Sequence, residues 1–203
     1  MKQNRLRAGS LRAGALVAMT ALVALCACTS AFAGGGAYGN GAPTAQESKA
    51  GVVYMKADKQ GLRFVAPKTI VAGENLKVIN QSNPKQVGPH TFSLVTKSSL
   101  PKTPNARRLC FTKNHICKEI AEWHGVKGNG PVKTNPVEAG EAGWDTLGSL
   151  TEEGDSWFTG ETKAGTSFSQ AVTVDTSAGP SRIYFICAIH AEMQGSINVL
   201  PGG

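Results

Sequence analysis

The chain predicts an all-β fold, a Greek-key β-sandwich with a partly helical insertion, and three observations carry that expectation. Short, β-prone apolar runs recur between turn signals from Val52 to Thr96 and again from Thr166 to Leu200. Between Lys97 and about Gly165 the character changes, to prolyl and glycyl stretches around one helix-like segment. Where the penultimate strand ends, a cysteine, a histidine and a methionine stand within seven residues, from Cys187 to Met193.

Val52 and Val53 open the first apolar segment, and Leu62-Arg63-Phe64-Val65-Ala66 alternates as a strand does until Pro67-Lys68 breaks it. Thr69 to Val71, the turn signal Gly73-Glu74 and Asn75 to Asn80 read as strand, turn, strand. Gln81 to Val87, with Asn83-Pro84, reads as a loop. Thr91 to Thr96 is a strand with Phe92 and Leu94 on one face and Thr91, Ser93 and Val95 on the other.

In the insertion, Lys102 to Leu109 is polar and prolyl. Lys113 to Gly125 predicts a helix, because Ile116, Ile120 and Trp123 recur at helical spacing and Gly125 can end it. Gly128 to Gly143 reads as loop, and Trp144, Leu147, Trp157 and Phe158 as anchors onto a core. Strand patterning returns at Thr166 to Val174. After the turn at Gly179-Pro180, Arg182 to Cys187 is a continuous apolar strand, and Ser196 to Leu200 closes the fold. The strands are expected to run antiparallel. Met55 reads as packing.

Residues 1–33 have the pattern of a secretory signal peptide: Lys2, Arg5, Arg7 and Arg12 with no acid, an apolar stretch from Ala13 to Ala27, and small residues around Ala31-Phe32-Ala33. No paired arginines occur, which favours the general secretory route. Leu25-Cys26-Ala27-Cys28 also resembles a bacterial lipoprotein box, so cleavage after Ala33 and lipidation at Cys28 both stay open. Residues 34–50 are then a flexible Gly-rich start or a tether. Residues 51–203 form the domain, with the insertion at about 97–165. The expected location is extracytoplasmic, periplasmic or secreted, with membrane attachment only through a lipid on Cys28.

Of the 21 Lys and Arg residues, four lie before Ala33, so the remainder carries 17 basic against 14 acidic residues, a net charge of +3. No basic cluster is interleaved with aromatics, so nothing points to nucleic acid. The exported part, about 170 residues, suits one monomeric domain with a sizeable core. Cys26 and Cys28 belong to the signal region. Cys110 and Cys117 then form a plausible disulfide in an oxidising compartment, which reads better than metal ligation together with His115. Cys187 is left as an odd thiol that needs an explanation, and a metal supplies one.

Thiolate, imidazole and thioether together suit copper better than zinc or calcium. Gly88-Pro89-His90-Thr91-Phe92 supplies a second imidazole upstream. His90, Cys187, His190 and Met193 are therefore the expected metal ligands: two histidines, a thiolate and a weak axial sulfur, the set of a mononuclear blue-copper electron-transfer site. Singly, Cys187 or Met193 would be a core residue and His90 a loop histidine, and the joint pattern outweighs those readings. His115 and His124, nine residues apart, do not share a helix face and read as solvated or capping.

The run Cys187-x-x-His190-x-x-Met193-x-Gly195, with His90 on an earlier strand, resembles the cupredoxin family of type 1 copper proteins. The spacing is similar to that of amicyanin, and the relation extends to plastocyanin and pseudoazurin. The resemblance spans roughly Leu62 to Thr96 and Thr166 to Leu200 and leaves the insertion outside. It implies one type 1 copper, three ligands on one loop, His90 arriving from the neighbouring sheet, and the exposed edge of His190 as the port for electrons. Two residues depart from it. Ala191 stands where amicyanin-like loops often carry proline, and Glu192 puts a carboxylate beside the expected apolar docking patch.

The function expected is single-electron shuttling between Cu(I) and Cu(II) with a redox partner protein in the cell envelope, and no substrate turnover. The alternative is an extracytoplasmic copper-binding protein for storage, delivery or sensing, which would use the same ligands. A multicopper enzyme would need further clustered histidines, and the chain has four in all.

Overall fold

The computed structural model describes residues 51–126 and 138–203. The signal sequence, the Gly-rich tract, Cys28 and residues 128–137 of the expected Gly128–Gly143 loop lie outside the described residues. The chain enters through β1 (Val52–Asp58), β2 (Gly61–Val65), β3 (Thr69–Val71) and β4 (Asn75–Asn80). Alternation does the sorting here: Val53 and Met55 of β1 and Leu76 and Val78 of β4 are buried, and their neighbours are more exposed.

A short helix α1 (Pro84–Val87) follows where the sequence suggested only a loop. The side chain of Asn83 caps it by accepting from Lys85 N, and Pro84 occupies its first turn. After β5 (Thr91–Leu94) and a 3-10 turn at Lys97–Ser99 come α2 (Pro104–Leu109) and α3 (Ile116–Trp123). The expected helix around Ile116 is present in shortened form. α2 was not expected; its start is signalled by Thr103, which accepts from Ala106 N, and by Pro104. β6 (Glu138–Ala139), β7 (Ser156–Phe158), β8 (Ser167–Ala171), β9 (Ser181–Ile186) and β10 (Gln194–Leu200) complete the described chain.

The strands form two sheets, in the orders β2-β1-β4-β8 and β3-β10-β9-β5-β7-β6. The sandwich is mixed rather than wholly antiparallel, because β1 pairs with β4, and β3 with β10, in parallel. The turn between β3 and β4, where Gly73 takes φ 89°, is not a hairpin: it carries the chain from one sheet to the other. The insertion is also not wholly outside the sandwich. Its strand β7 pairs with β5 (Phe92 opposite Trp157), and Trp144 is buried in the core with its indole N–H donating to the Leu76 carbonyl.

Two apolar clusters result. Between the sheets, Phe92 packs edge-on against Phe64 and Trp144 and lies 4.8 Å from the Phe185 ring centroid. Burying side chains of this size stabilises the fold by about 1.5–3 kcal/mol each. A second cluster joins Ile116, Cys117 and Ile120 of α3 and Cys110, which caps α2, to Val95, Ile186 and, in the loop after β9, Ala188 and Ala191. Cys110 and Cys117 are joined by the expected disulfide. All four residues of β5 are consequently buried, although the sequence shows polar residues on one of its faces.

Candidate metal centre

His90 sits one residue before β5 and Cys187 one residue after β9, and these two strands are hydrogen-bonded neighbours in one sheet. The expected approach of His90 from the other sheet is thereby corrected: β5 lies beside β9, so the imidazole reaches the thiol across a strand pair. Thr159 fixes His90 from both ends, its hydroxyl accepting from His90 N and its N–H donating to the His90 carbonyl. The loop from Cys187 to Met193 is closed by two backbone bonds, Cys187 N to Met193 O at 2.9 Å and Met193 N to His190 O at 2.8 Å.

Three donor atoms converge there. Cys187 Sγ lies 3.8 Å from His90 Nδ1 and 3.7 Å from His190 Nδ1, and the two Nδ1 atoms are 3.1 Å apart. Among the described residues this is the group of His, Cys, Asp or Glu side chains that could hold a metal ion. Met193 is buried, in the same apolar cluster as Cys187. The two-sheet sandwich and the three converging donors agree with the expectation drawn from the sequence.

No protein-family model matches the chain, and no curated protein is significantly similar to it. Among solved structures, the chain is similar to dithionite-reduced auracyanin from the photosynthetic bacterium Roseiflexus castenholzii, with 14% sequence identity and a TM-score of 0.37 over 74% of this chain and 95% of that one.

The donor triangle fits one small, soft cation. Bonds of about 2.0–2.3 Å from imidazole nitrogen and thiolate sulfur span separations of this size. Two ring nitrogens at 3.1 Å also require a proton or a cation between them.

Hydrogen bonding decides which nitrogen of His90 is available. Ser82 Oγ donates to Asn80 Oδ1, which uses its only hydrogen, so at 2.7 Å from His90 Nε2 it must accept. His90 is therefore protonated on Nε2 and presents a bare Nδ1 to the cluster, the outer-partner arrangement that orients metal-bound imidazoles. Burial pushes His90 down to about 4, with His190 adding to the effect. Burial also lowers His190, opposed by Glu192 and a Val87 backbone hydrogen bond. Burial raises the Cys187 thiol, opposed by amides that include Thr91. Both rings are thus neutral near pH 7 and ready to ligate.

Thr91 holds the thiol from two directions. Its N–H lies 3.3 Å from Cys187 Sγ, and its hydroxyl accepts from Ala188 N, the amide after the cysteine. Gly88 takes φ 80° beside His190, whose Cε1 would be 3.9 Å from a side-chain carbon at that position. His190 itself is half-buried.

Sequence reasoning missed Asn80, Ser82, Thr91 and Thr159 as supports, since a hydroxyl or amide in a polar loop carries no pattern of its own. His124 also differs from expectation. It occupies the C-cap position of α3, but its ring is buried, 4% exposed, and bonded to Ser156 Oγ at 2.8 Å. His115 stays outside the centre, bonded to Thr112 and the Lys113 carbonyl.

Proposed function

We propose that this domain is a type 1 copper protein that passes single electrons between redox partners. The observation that supports it most directly is the convergence of His90 Nδ1, His190 Nδ1 and Cys187 Sγ at the ends of two neighbouring strands, β5 and β9. Copper held there would supply a Cu(I)/Cu(II) couple, and every other requirement falls on the chain. His90 is anchored by Ser82 and Thr159, and Cys187 by Thr91 and the closed loop, so the donors are preorganised and move little when charge changes. Met193, buried in the same apolar cluster as Cys187, would add a weak thioether donor. His190, the more exposed imidazole, offers the route for electrons to reach the surface.

Export, a redox partner in the cell envelope and the absence of substrate turnover belong to the same proposal. The test is the visible and EPR spectrum of the domain with Cu(II), followed by voltammetry. An intense thiolate-to-copper band, narrow hyperfine splitting and reversible one-electron cycling support electron transfer. A colourless complex that hands Cu(I) to an acceptor without cycling would instead establish the copper-handling alternative.

A further inference from the structure

We propose that His124 of the helical insertion positions the thiolate of Cys187 through a buried file of hydroxyls, so that the insertion tunes the metal centre. Its effect on the metal rests on the copper reading above; the file itself does not. His124 Nε2 is 2.8 Å from Ser156 Oγ, Ser156 Oγ is 2.7 Å from Ser93 Oγ, and Ser93 Oγ donates to Thr91 Oγ1 at 2.9 Å. Thr91 then holds both the sulfur of Cys187 and the amide of Ala188. All five side chains are buried, so no bulk water competes along the way.

The direction of the file is determined by counting hydrogens. A hydroxyl has one. Ser93 spends its hydrogen on Thr91, so Ser156 must spend its own on Ser93, and only the ring of His124 is left to donate to Ser156. Every link therefore depends on an N–H at His124 Nε2. Without that donor, Ser156 can turn its hydrogen away from Ser93, and the Thr91 hydroxyl loses one of the two hydrogen bonds that orient it. The route also joins the parts of the fold in a specific order. It starts at the end of α3, crosses β7 at Ser156 and β5 at Ser93, and ends at the residue that follows His90. Helix α3, which shares a buried cluster with Ala188 and Ala191 of the ligand loop, thus has a polar connection to the same sulfur.

His124 is a positioning residue: it reaches Cys187 through Ser156, Ser93 and Thr91. The test compares His124→Phe, which keeps a buried ring without a donor, with His124→Gln, whose amide can donate to Ser156. In the metal-free protein, NMR would follow the amide protons of Thr91 and Ala188. The expected result for His124→Phe is displaced shifts and exchange faster by roughly tenfold, the effect of one lost buried hydrogen bond, with recovery in His124→Gln. In the copper-loaded protein the same pair should displace and restore the thiolate band and the reduction potential. If His124→Phe does not fold, Ser156→Ala interrupts the file without a substitution in the helix and is read in the same way. Unchanged Thr91 and Ala188 amides in a folded variant would overturn the proposal. The amide readout stands even if the wild-type protein forms no blue centre, which separates this failure from failure of the copper reading.

Discussion

Ser82 Oγ lies 2.7 Å from His90 Nε2 and, by accepting its hydrogen, turns the bare Nδ1 of that ring toward Cys187. Replacing Ser82 by alanine leaves a buried N–H without a partner, which costs about 1–3 kcal/mol of stability. Loss of the outer partner should also weaken metal binding by roughly 10–100-fold. Copper competition against a chelator and urea denaturation of the metal-free protein measure the two effects separately. Affinity equal to that of wild type would show that His90 needs no such support.

Cys187→Ser removes the thiolate while keeping a side chain of nearly the same size at a fully buried position. The intense visible band should vanish, and far-ultraviolet circular dichroism should report an unchanged sandwich. A strong band persisting in this variant would sink the ligand assignment.

The disulfide joins residues seven apart in sequence, Cys110 and Cys117, within the cluster that also holds Ala188 and Ala191. Replacing both cysteines by serine should cost about 2–3 kcal/mol, the loop-closure value for so short a loop. The loss should concentrate in the insertion. Hydrogen exchange should speed up in α2, α3 and the ligand loop and stay slow in β1 and β4. Uniformly faster exchange would mean that the insertion and the sandwich unfold as one unit.

Asp155 provides a pH-dependence. Its carboxyl is buried, which raises it from 3.8 to about 6 although the amides of Thr146 and Asp145 both donate to Oδ2, while Oδ1 has no partner. The folded-state value lies above the unfolded one, so the native state binds the extra proton. Stability is therefore highest below about pH 4 with respect to this group and falls as pH rises through 6, by about 3 kcal/mol. Asp155→Asn should abolish that fall. Denaturation at pH 4 and pH 7.5 checks it: the wild type should lose stability between the two relative to the variant, and parallel behaviour would refute the assignment.

The readings that came correctly from sequence share a physical cause, which is proximity along the chain. Period-two alternation in Leu62 to Ala66 marks the strand β2 because neighbouring side chains point to opposite faces. Cys187, His190 and Met193 stand on one loop, so their spacing already limits how they can meet. The start of α2 was legible too, in Thr103-Pro104, but the polar prolyl composition obscured it.

What the chain determined by itself was the two-layer β fold and the grouping of Cys187 and His190 on one loop, because each is written in local patterns of a few residues. Only the tertiary structure decided that β3 leaves one sheet for the other, that β5 lies beside β9, and that Ser82 and Thr91 orient the ligands. It alone brought His124 to Ser156, 32 residues away, and so to the file that ends at Thr91. Serine and threonine hydroxyls are common and carry no period, so their role depends on which partner the packed sheets set within 3 Å. That choice is made by burial, where a polar group must find a partner, and not by the order of residues along the chain.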